Sequence, residues 1–353
     1  MVRAAAKCLR SRQHGEAADV KLPEPRGPFS ATVCALLNGT APAHRTTDTI
    51  VDDPAADDDL QLALYLCYEL HYRGIDGVDD RAEWDPKVLG FRAELEARFE
   101  RAVRELAVVT PSPHPIDVQL RALIADADGP SVSSFLGREG SVDMYREFLM
   151  HRSAYHLKEA DPHSFGIPRL QGRAKAALME IQADEYGGGD PSWMHSALFA
   201  DSMRALDLDP TENAYVEQLP GVTLAGVNLI SLFGLHRRLR GALVGHLAIF
   251  EMTSCIPNRR YGDGLRRLGF DEGATTYFDE HVEADAVHEA IAANDLAGSL
   301  VEDDPRLESD VLFGGAALLA LDGRWAAHVL KAWRDESTAL LHSDRHSSPV
   351  PVS

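Results

Sequence analysis

Apolar residues recur along most of this chain at the three- and four-residue spacing of one face of an α-helix. Residues 1–57 lack this pattern apart from a short stretch at 29–37, and the end of the chain at 343–353 is polar. Runs that alternate Val, Ile, Thr and aromatics with polar residues, which are typical of strands, are almost missing. We therefore predict an all-α protein. The predicted helices are 60–72, 86–106, 116–126, 141–159, 169–186, 191–206, 222–254, 258–267, 271–292 and 306–340.

Proline, glycine and acidic residues mark the ends of these predicted helices. Asp85-Pro86 supplies a cap and a first-turn proline for the helix at 86–106. The stretch Pro111 to Pro115 ends that helix and is typical of a linker. These breaks predict a loosely packed N-terminal arm at 1–57, an accessory helical region at 58–110, a helical domain at 111–342 and a flexible tail at 343–353.

Composition and charge exclude several classes of protein. The 353 residues are 45% apolar, enough for a sizeable core. The net charge of -20 repels phosphate backbones and bare anionic membranes, so we expect neither nucleic acid nor a membrane as a partner. The start lacks the apolar run of a secretory signal, and no run approaches the roughly 18 apolar residues of a spanning helix. Four scattered cysteines, Cys8, Cys34, Cys67 and Cys255, argue against a disulfide framework and favour the cytoplasm.

The stretch 281–288 carries the strongest signal for chemistry. Its His281, Asp285 and His288 stand at i, i+4 and i+7, which places them within about 60° on one helix face. Their valine and alanine neighbours favour burial, and burying an unpaired imidazole or carboxylate costs several kcal/mol. A metal ion would be a suitable partner. The alternative is a polar helix face that happens to carry two histidines.

Other helices must supply the remaining ligands of such a site. Glu251 is a lone acid in an apolar stretch, although a nearby arginine could pair with it instead. Glu185 and His195 flank three glycines, which permit the sharp turn that would bring both side chains together. The alternative there is a plain loop with Glu185 in solvent. Glu159 is the weakest candidate, since a surface acid is its default.

The types of these candidate ligands narrow the choice of metal. Carboxylates and imidazoles without thiolates suit Fe, Mn or Zn, and several carboxylates, which can bridge, favour two ions over one. The ferritin-like arrangement would need two Glu-x-x-His motifs, and the sequence shows none that suits it. This would be a different dimetal bundle.

Taken in order, these residues resemble the heme oxygenase-like diiron oxidase and oxygenase superfamily, also called iron-containing redox enzymes. The resemblance covers about 140–340 and implies a heme oxygenase-like helical bundle with N-terminal accessory helices. The wide separation of Glu185 and His195 is similar to that in the longer members. Some members carry an additional upstream carboxylate, and Glu159 lies where that residue would be. The ligands that the resemblance implies are Glu185 and His195 from one core helix, Glu251 from a second, and His281, Asp285 and His288 from a third.

The resemblance also implies a function. It is that of a non-heme diiron oxygenase or oxidase with two ions cycling between Fe(II) and Fe(III), O2 as co-substrate, an external electron donor and a small-molecule substrate. Glu159 tilts the expected reaction slightly towards N-oxygenation of an amine. Oxidative C–C cleavage or decarboxylation of an amino or fatty acid, a mononuclear Fe or Mn enzyme, and a non-catalytic metal-binding helical protein are the alternatives. Heme is disfavoured, because inward acids would surround its hydrophobic macrocycle.

A few further residues are candidates for substrate contacts. Arg259 and Arg260 follow Glu251 and could reach a substrate carboxylate, although a surface ion pair is the simpler expectation. Tyr186 and Tyr261 are candidate pocket residues, with a core or rim position as the alternative for each. A redox partner and a homodimer remain open.

Overall fold

A computed structural model describes residues 22–40 and 49–341. Within these residues no strand occurs, and a single isolated bridge joins Tyr186 to Met194. The all-α prediction is therefore confirmed. The helices are α1 (Pro28–Leu37), α2 (Asp58–Glu69), α3 (Pro86–Leu106), α4 (Ile116–Asp126), α5 (Val132–Glu139), α6 (Val142–His156), α7 (Asp161–Ser164), α8 (Gly172–Glu185), α9 (His195–Ala205), α10 (Gly221–Leu235), α11 (Arg240–Arg267), α12 (Glu272–Ala290), α13 (Ser299–Asp303) and α14 (Glu308–Arg334), with a π-helical segment at Ile291–Gly298 between α12 and α13.

Helices α3 and α4 have the bounds that the sequence predicted. The predicted helix at 222–254 is wrong, because the chain leaves helical geometry between α10 and α11. His236 is extended there, and its Nε2 lies 2.9 Å from Glu96 Oε2 on α3. Arg238 donates to Glu100, also on α3, at 2.9 Å. These contacts with a distant helix hold the break, and local sequence does not reveal them.

The predicted break before residue 258 is also wrong, because α11 continues through Pro257. An interior proline removes one backbone hydrogen bond and costs about 3 kcal/mol or more. Packing on both sides offsets this cost, since Ile249 and Leu265 are fully buried. The short helix α5 was not predicted. Its start is capped by Ser131, whose Oγ accepts from the backbone N–H of Ser134 at 3.2 Å.

The N-terminal helices pack onto the bundle. Helix α1 lies within the predicted loose arm, yet its Phe29 and Val33 are buried in the same core as α2, α3 and α10. The carboxylate of Asp59 accepts from the backbone N–H groups of Phe29 and Ser30, both at 2.8 Å, and so caps α1. This part of the arm is packed rather than loose. Residues 1–21, 41–48 and the predicted tail at 343–353 lie outside the described residues.

Helix α11 is the central helix of the bundle and packs closely on α14. A Cβ on Gly245 would lie 1.8 Å from the carbonyl oxygen of Val311, and one on Gly314 would lie 1.9 Å from that of Ala242. Only glycine fits at either position, so the two backbones are in direct contact.

The segment Arg237–Arg267, which contains α11, is long and apolar enough to cross a membrane by length and composition alone. The expectation that no run approaches such a length was therefore too strong. However, 61% of its most apolar window is buried inside the protein, as in the core helix of a bundle.

Candidate metal centre

The turn between α8 and α9 brings Glu185 and His195 together. Glu185 ends α8 and His195 begins α9, and the glycines between them have φ values of 65°, 59° and 95°. Residues with side chains rarely adopt this left-handed conformation. Gly187 is also tightly enclosed, because a Cβ there would lie 2.6 Å from the backbone carbonyl carbon of Trp193. As a result, Glu185 Oε2 lies 2.9 Å from His195 Nδ1.

Helices α11 and α12 bring Glu251 and His288 to the same region. The Nδ1 atom of His288 lies 3.4 Å from Glu251 Oε2, and both side chains are buried. The other ring nitrogen, Nε2, lies 2.9 Å from Asp184 Oδ2 at the end of α8. Asp184 therefore fixes the orientation of the His288 ring.

His281, two turns earlier on α12, is oriented by its own helix. Its Nδ1–H donates to the carbonyl oxygen of Tyr277 at 2.8 Å, since a carbonyl can only accept. This leaves Nε2 as the nitrogen with the lone pair, and Nε2 lies 3.8 Å from Glu159 Oε1. An outer hydrogen bond of this kind is what orients a histidine that binds a metal.

Glu159 is buried and held from two sides. The Tyr277 hydroxyl donates to Oε2 at 2.9 Å, and His156 Nδ1 lies 2.8 Å from Oε1. Burial would raise the pKa of Glu159, but the neighbouring His156 and His281 hold it well below its usual range. The Glu159 carboxylate is thus kept ionised inside the bundle.

Together these side chains form two overlapping groups of potential ligands. One contains Glu159, Glu185, His195 and His281, the other Glu185, Glu251 and His288, and within each group one ligand atom per residue lies within 4.8 Å of all the others. Glu185 belongs to both groups. All six residues are buried, with exposed fractions of 4% for Glu159, 7% for Glu185, 1% for His195, 3% for Glu251, 3% for His281 and 1% for His288.

This arrangement fits metal ions. Glu185 Oε2 and His195 Nδ1 are buried and make no well-aligned hydrogen bond to a described residue, although they lie 2.9 Å apart. Buried polar atoms are nearly always hydrogen-bonded, so a carboxylate oxygen and an imidazole nitrogen in this position are suited to share a cation that lies beside both of them. Carboxylate oxygens and imidazole nitrogens without thiolates are the donors that iron accepts.

Charge supports the same conclusion. Burial lowers the pKa of His195, but Glu185 outweighs it and raises the pKa overall. Burial also acts against protonated His288, yet Glu251 raises its pKa to about 9. The pKa of Glu251 is itself raised, chiefly by burial. Without a metal, protons must therefore offset the charge of the buried carboxylates, and a bound cation would replace them.

Comparison with known proteins places the chain in a family. The family model described as "iron-containing redox enzyme" matches residues 146–323, which is half of the chain and includes every predicted ligand. The chain belongs to the iron-containing redox enzyme family. The resemblance inferred from the sequence is thereby confirmed, and with it the heme oxygenase-like bundle.

A curated relative lies within the same superfamily. The nitrosourea synthase of Streptomyces achromogenes subsp. streptozoticus is 27% identical over 173 residues. The match covers 49% of this chain and 37% of the relative, so the chain spans little more than a third of the relative's length. Family and relative together support an oxidoreductase that contains iron.

The structure of this iron-containing redox enzyme brings six of the seven predicted ligands together. The seventh, Asp285, lies in α12, and its side chain is outside the described residues.

The two predicted substrate arginines lie away from these groups. Arg259 and Arg260 are exposed on α11, eight and nine residues beyond Glu251, which corresponds to about 12–14 Å along the helix axis. Arg260 donates to Ser134 Oγ at 2.8 Å. The structure thus brings neither arginine to the candidate centre.

The predicted tyrosines occupy packing positions. The Tyr186 hydroxyl donates to Asp161 Oδ1 at 2.7 Å, next to the turn that follows Glu185. Tyr261 is buried with its ring centroid 4.5 Å from that of Phe148. Both positions match the core or rim alternative considered for these residues.

Sequence reasoning missed three residues that position the candidate ligands. Tyr277 stands four residues before His281, and His156 three before Glu159, so helical spacing from each candidate ligand could have found both. Asp184 adjoins Glu185, but its contact with His288 depends on how α8 meets α12.

Proposed function

We propose that this iron-containing redox enzyme is a non-heme diiron oxygenase or oxidase that uses O2 to oxidise a small molecule. The observation that carries the proposal is Glu185, which belongs to both overlapping groups of buried ligand atoms. A carboxylate has two oxygens and can therefore bind two ions at once. When bound, two Fe(II) ions would supply electrons for the reduction of O2, and an external donor would restore them.

The proposed ligand set follows from the two groups. Asp285 is added because it stands one turn before His288 on the same helix, which is an argument from spacing alone. We assign Glu159, Glu185, His195 and His281 to one iron, and Glu185, Glu251, His288 and Asp285 to the other.

The surrounding residues of the chain would hold these ligands in place. Tyr277 and His156 would hold the Glu159 carboxylate in position through their contacts at 2.9 Å and 2.8 Å. Asp184 holds His288 through Nε2. Such outer contacts typically change metal affinity 10- to 100-fold when they are removed.

Two observations slightly favour N-oxygenation of an amine. Glu159 has a carboxylate oxygen within 4.8 Å of ligand atoms of Glu185, His195 and His281. It could therefore serve as the additional upstream carboxylate that some members of the superfamily carry. The name of the curated relative denotes a product with a nitrogen–oxygen bond, although the match covers only 37% of that protein. Oxidative C–C cleavage or decarboxylation of an amino or fatty acid by the same site is the alternative reaction.

Iron stoichiometry tests the diiron assignment. Titration with Fe(II), followed by iron analysis and Mössbauer spectroscopy, is expected to give two irons per chain. Glu185→Ala should lose both irons, and His288→Ala should fall below two. Glu180→Ala, which removes an exposed acid from the same helix as Glu185, is the matched control and should retain both. Saturation of the wild type at one iron would refute the diiron site.

Reaction with O2 tests turnover. The Fe(II)-loaded protein is mixed rapidly with O2, alone and with panels of amines, amino acids and fatty acids, and O2 consumption is recorded. We expect consumption that a member of one panel accelerates. If O2 is not consumed under any of these conditions, the protein binds metal without turnover and the oxygenase proposal is wrong.

A further inference from the structure

A cavity that is partly open to solvent lies between helices of the bundle. It has a volume of about 60 Å³ and is bounded by α6, α10, α11 and α14. Its walls are mostly aliphatic and aromatic, and the aromatic side chains are Tyr155, Phe250 and Trp325, besides two histidines. Helices α10 and α14 contribute to the cavity but supply none of the candidate ligands.

Tyr155 links the cavity to residues that adjoin the candidate ligands. Its ring lines the cavity and packs on Phe250, with ring centroids 5.6 Å apart, and Phe250 directly precedes Glu251. Tyr155 also packs on His156, with centroids 5.0 Å apart, and His156 contacts Glu159. One side chain therefore touches both the cavity wall and the residues that hold the candidate ligands.

The electrostatics of Tyr155 agree with this position. Burial raises the pKa of its phenol well above the usual range, and the carboxylates of Glu159, Glu185 and Glu251 raise it further. The same adjacency follows from contacts. Phe250, which lines the cavity, directly precedes Glu251, and His156, which packs on Tyr155, contacts Glu159. The cavity is thus one side chain away from candidate ligands.

Two histidines that line the cavity, His246 and His151, each have a ring nitrogen without a hydrogen bond to a described residue. His246 is 1% exposed, its Nδ1 lies 3.3 Å from His163 Nε2, and its Nε2 has no hydrogen bond to a described residue. His151 contacts Thr223 Oγ1 at 2.7 Å through Nδ1, while its Nε2 is 4.0 Å from Glu147, beyond hydrogen-bond distance. Burial lowers the pKa of both histidines, so both are neutral near pH 7.

The charged groups at the cavity are already paired. Arg152 Nη2 donates to Asp322 Oδ1 at 2.9 Å, and the guanidinium carbon lies 3.8 Å from the centroid of the Trp325 ring. A charged group that entered the cavity would have to compete with this pair. A neutral hydrogen-bonding group could instead pair with His246, which removes the penalty for a buried polar atom without a hydrogen bond.

We propose that this cavity binds the uncharged part of the substrate, an apolar hydrocarbon body with one hydroxyl, carbonyl or amide group that hydrogen-bonds to His246. The end to be oxidised then extends past Tyr155 towards the candidate ligands. The inference relies on the proposed function for the reaction, but the affinity of the cavity can be measured without turnover.

Three probes with the same six-carbon ring test this chemistry. Cyclohexanol is apolar with one hydroxyl, cyclohexane lacks the hydroxyl, and cyclohexanecarboxylate carries a charge. Binding to the iron-loaded protein is measured by calorimetry, with saturation-transfer NMR for the weakest probe. We expect cyclohexanol to bind saturably, and the carboxylate to bind at least tenfold more weakly.

Gly226 provides the variant that fills the cavity. It lines the cavity on α10, and a Cβ there would meet nothing within 4 Å, so the side chain of Gly226→Met can begin there without a clash at Cβ and extend towards the cavity. Its matched control is Gly323→Met on α14, where a Cβ also meets nothing within 4 Å and which does not line the cavity. His246→Phe removes the nitrogen while retaining an aromatic ring.

The expected results separate this inference from the proposed function. Gly226→Met should weaken cyclohexanol binding at least tenfold, His246→Phe about two- to tenfold, and Gly323→Met not at all. Iron content should stay at the wild-type value in all three. Equal cyclohexanol binding by Gly226→Met and the wild type, or no binding by the wild type, would overturn the cavity assignment even if O2 is consumed. Cyclohexanol binding by a protein that never consumes O2 would instead refute the proposed function.

Discussion

The glycine turn between Glu185 and His195 allows a prediction that links backbone conformation to iron binding. Gly187 and Gly188 both have left-handed φ values, 65° and 59°. Replacing either glycine by alanine should therefore cost about 1–2 kcal/mol of unfolding free energy. The two positions differ in space, because a Cβ on Gly187 would lie 2.6 Å from Trp193 C, whereas one on Gly188 would meet nothing within 4 Å.

This difference sets the expected magnitudes. Ordinary contact begins at 3.4 Å, so Gly187→Ala must move the backbone at Trp193 by about 0.8 Å, the difference between 3.4 Å and 2.6 Å. Overpacking of this kind costs about 1–3 kcal/mol in addition to the strain in φ. Trp193 stands two residues before His195, and metal sites tolerate displacements of only about 0.5 Å. We therefore expect Gly187→Ala to weaken iron binding about 10- to 100-fold, the range for lost positioning of a ligand.

Urea unfolding of the iron-free variants and Fe(II) titration test both parts of this prediction. Gly188→Ala is the control and should lose only the φ contribution while retaining near wild-type iron affinity. The reasoning is wrong if the two variants unfold at the same urea concentration and bind iron equally well. It is also wrong if Gly188→Ala loses as much iron as Gly187→Ala.

Three further predictions concern the Tyr277 hydroxyl that donates to Glu159, the effect of iron on the melting temperature, and the effect of buried His151 on stability against pH. Tyr277→Phe removes a hydrogen bond to a buried carboxylate and should lower the unfolding free energy by about 1.5–3 kcal/mol. The control is Tyr261→Phe, because the Tyr261 hydroxyl bonds to no described residue, and it should change the unfolding free energy by less than about 1 kcal/mol. Equal urea midpoints for the two variants would contradict this prediction. Removing iron with a chelator should lower the melting temperature of the wild type, because ligands that bind only the folded state stabilise it, and it should have no effect on Glu185→Ala. Burial lowers the pKa of His151 from 6.5 to about 3. Between these pH values the unfolded chain therefore binds more protons than the folded protein, and the unfolding free energy falls as pH falls. His151→Phe should reduce the slope of unfolding free energy against pH by up to about 1.4 kcal/mol per pH unit, and an unchanged slope between pH 4 and 6 would contradict this prediction.

Local sequence signals predicted helices well where those signals alone determine the helix ends. Helix α3 begins after Asp85, whose carboxylate accepts from the backbone N–H of Lys87 at 2.7 Å, and its bounds were predicted correctly. The break at His236 could not be predicted, since residues of α3 far away in sequence hold it open. Pro257 misled in the opposite direction, because core packing outweighs its local preference.

The candidate site was predictable to a similar degree. Helical spacing on α12 and the glycine turn were enough to select His281, His288, Glu185 and His195, and the structure brings these side chains together. Glu251 was harder to assign, since its role depends on the packing of α11 against α12. The shared position of Glu185 between two groups was not predictable, because it depends on how three helices meet.

The positions of the helices suggest that iron binding and substrate choice are separable in this fold. Helices α8, α9 and α12 carry candidate ligands and contribute nothing to the cavity, while α10 and α14 line the cavity and carry no candidate ligand. Only α11 and the end of α6 reach both, and Tyr155 stands between them. Substitutions on the cavity side of α10 and α14 should therefore change which molecules accelerate O2 consumption while iron content stays constant. Effects usually add when two sites are more than about 7–10 Å apart and share no partner. A pair that joins α10 or α14 to α8, α9 or α12 should therefore be additive, whereas a pair that includes Tyr155 should not, because Tyr155 contacts both Phe250 and His156.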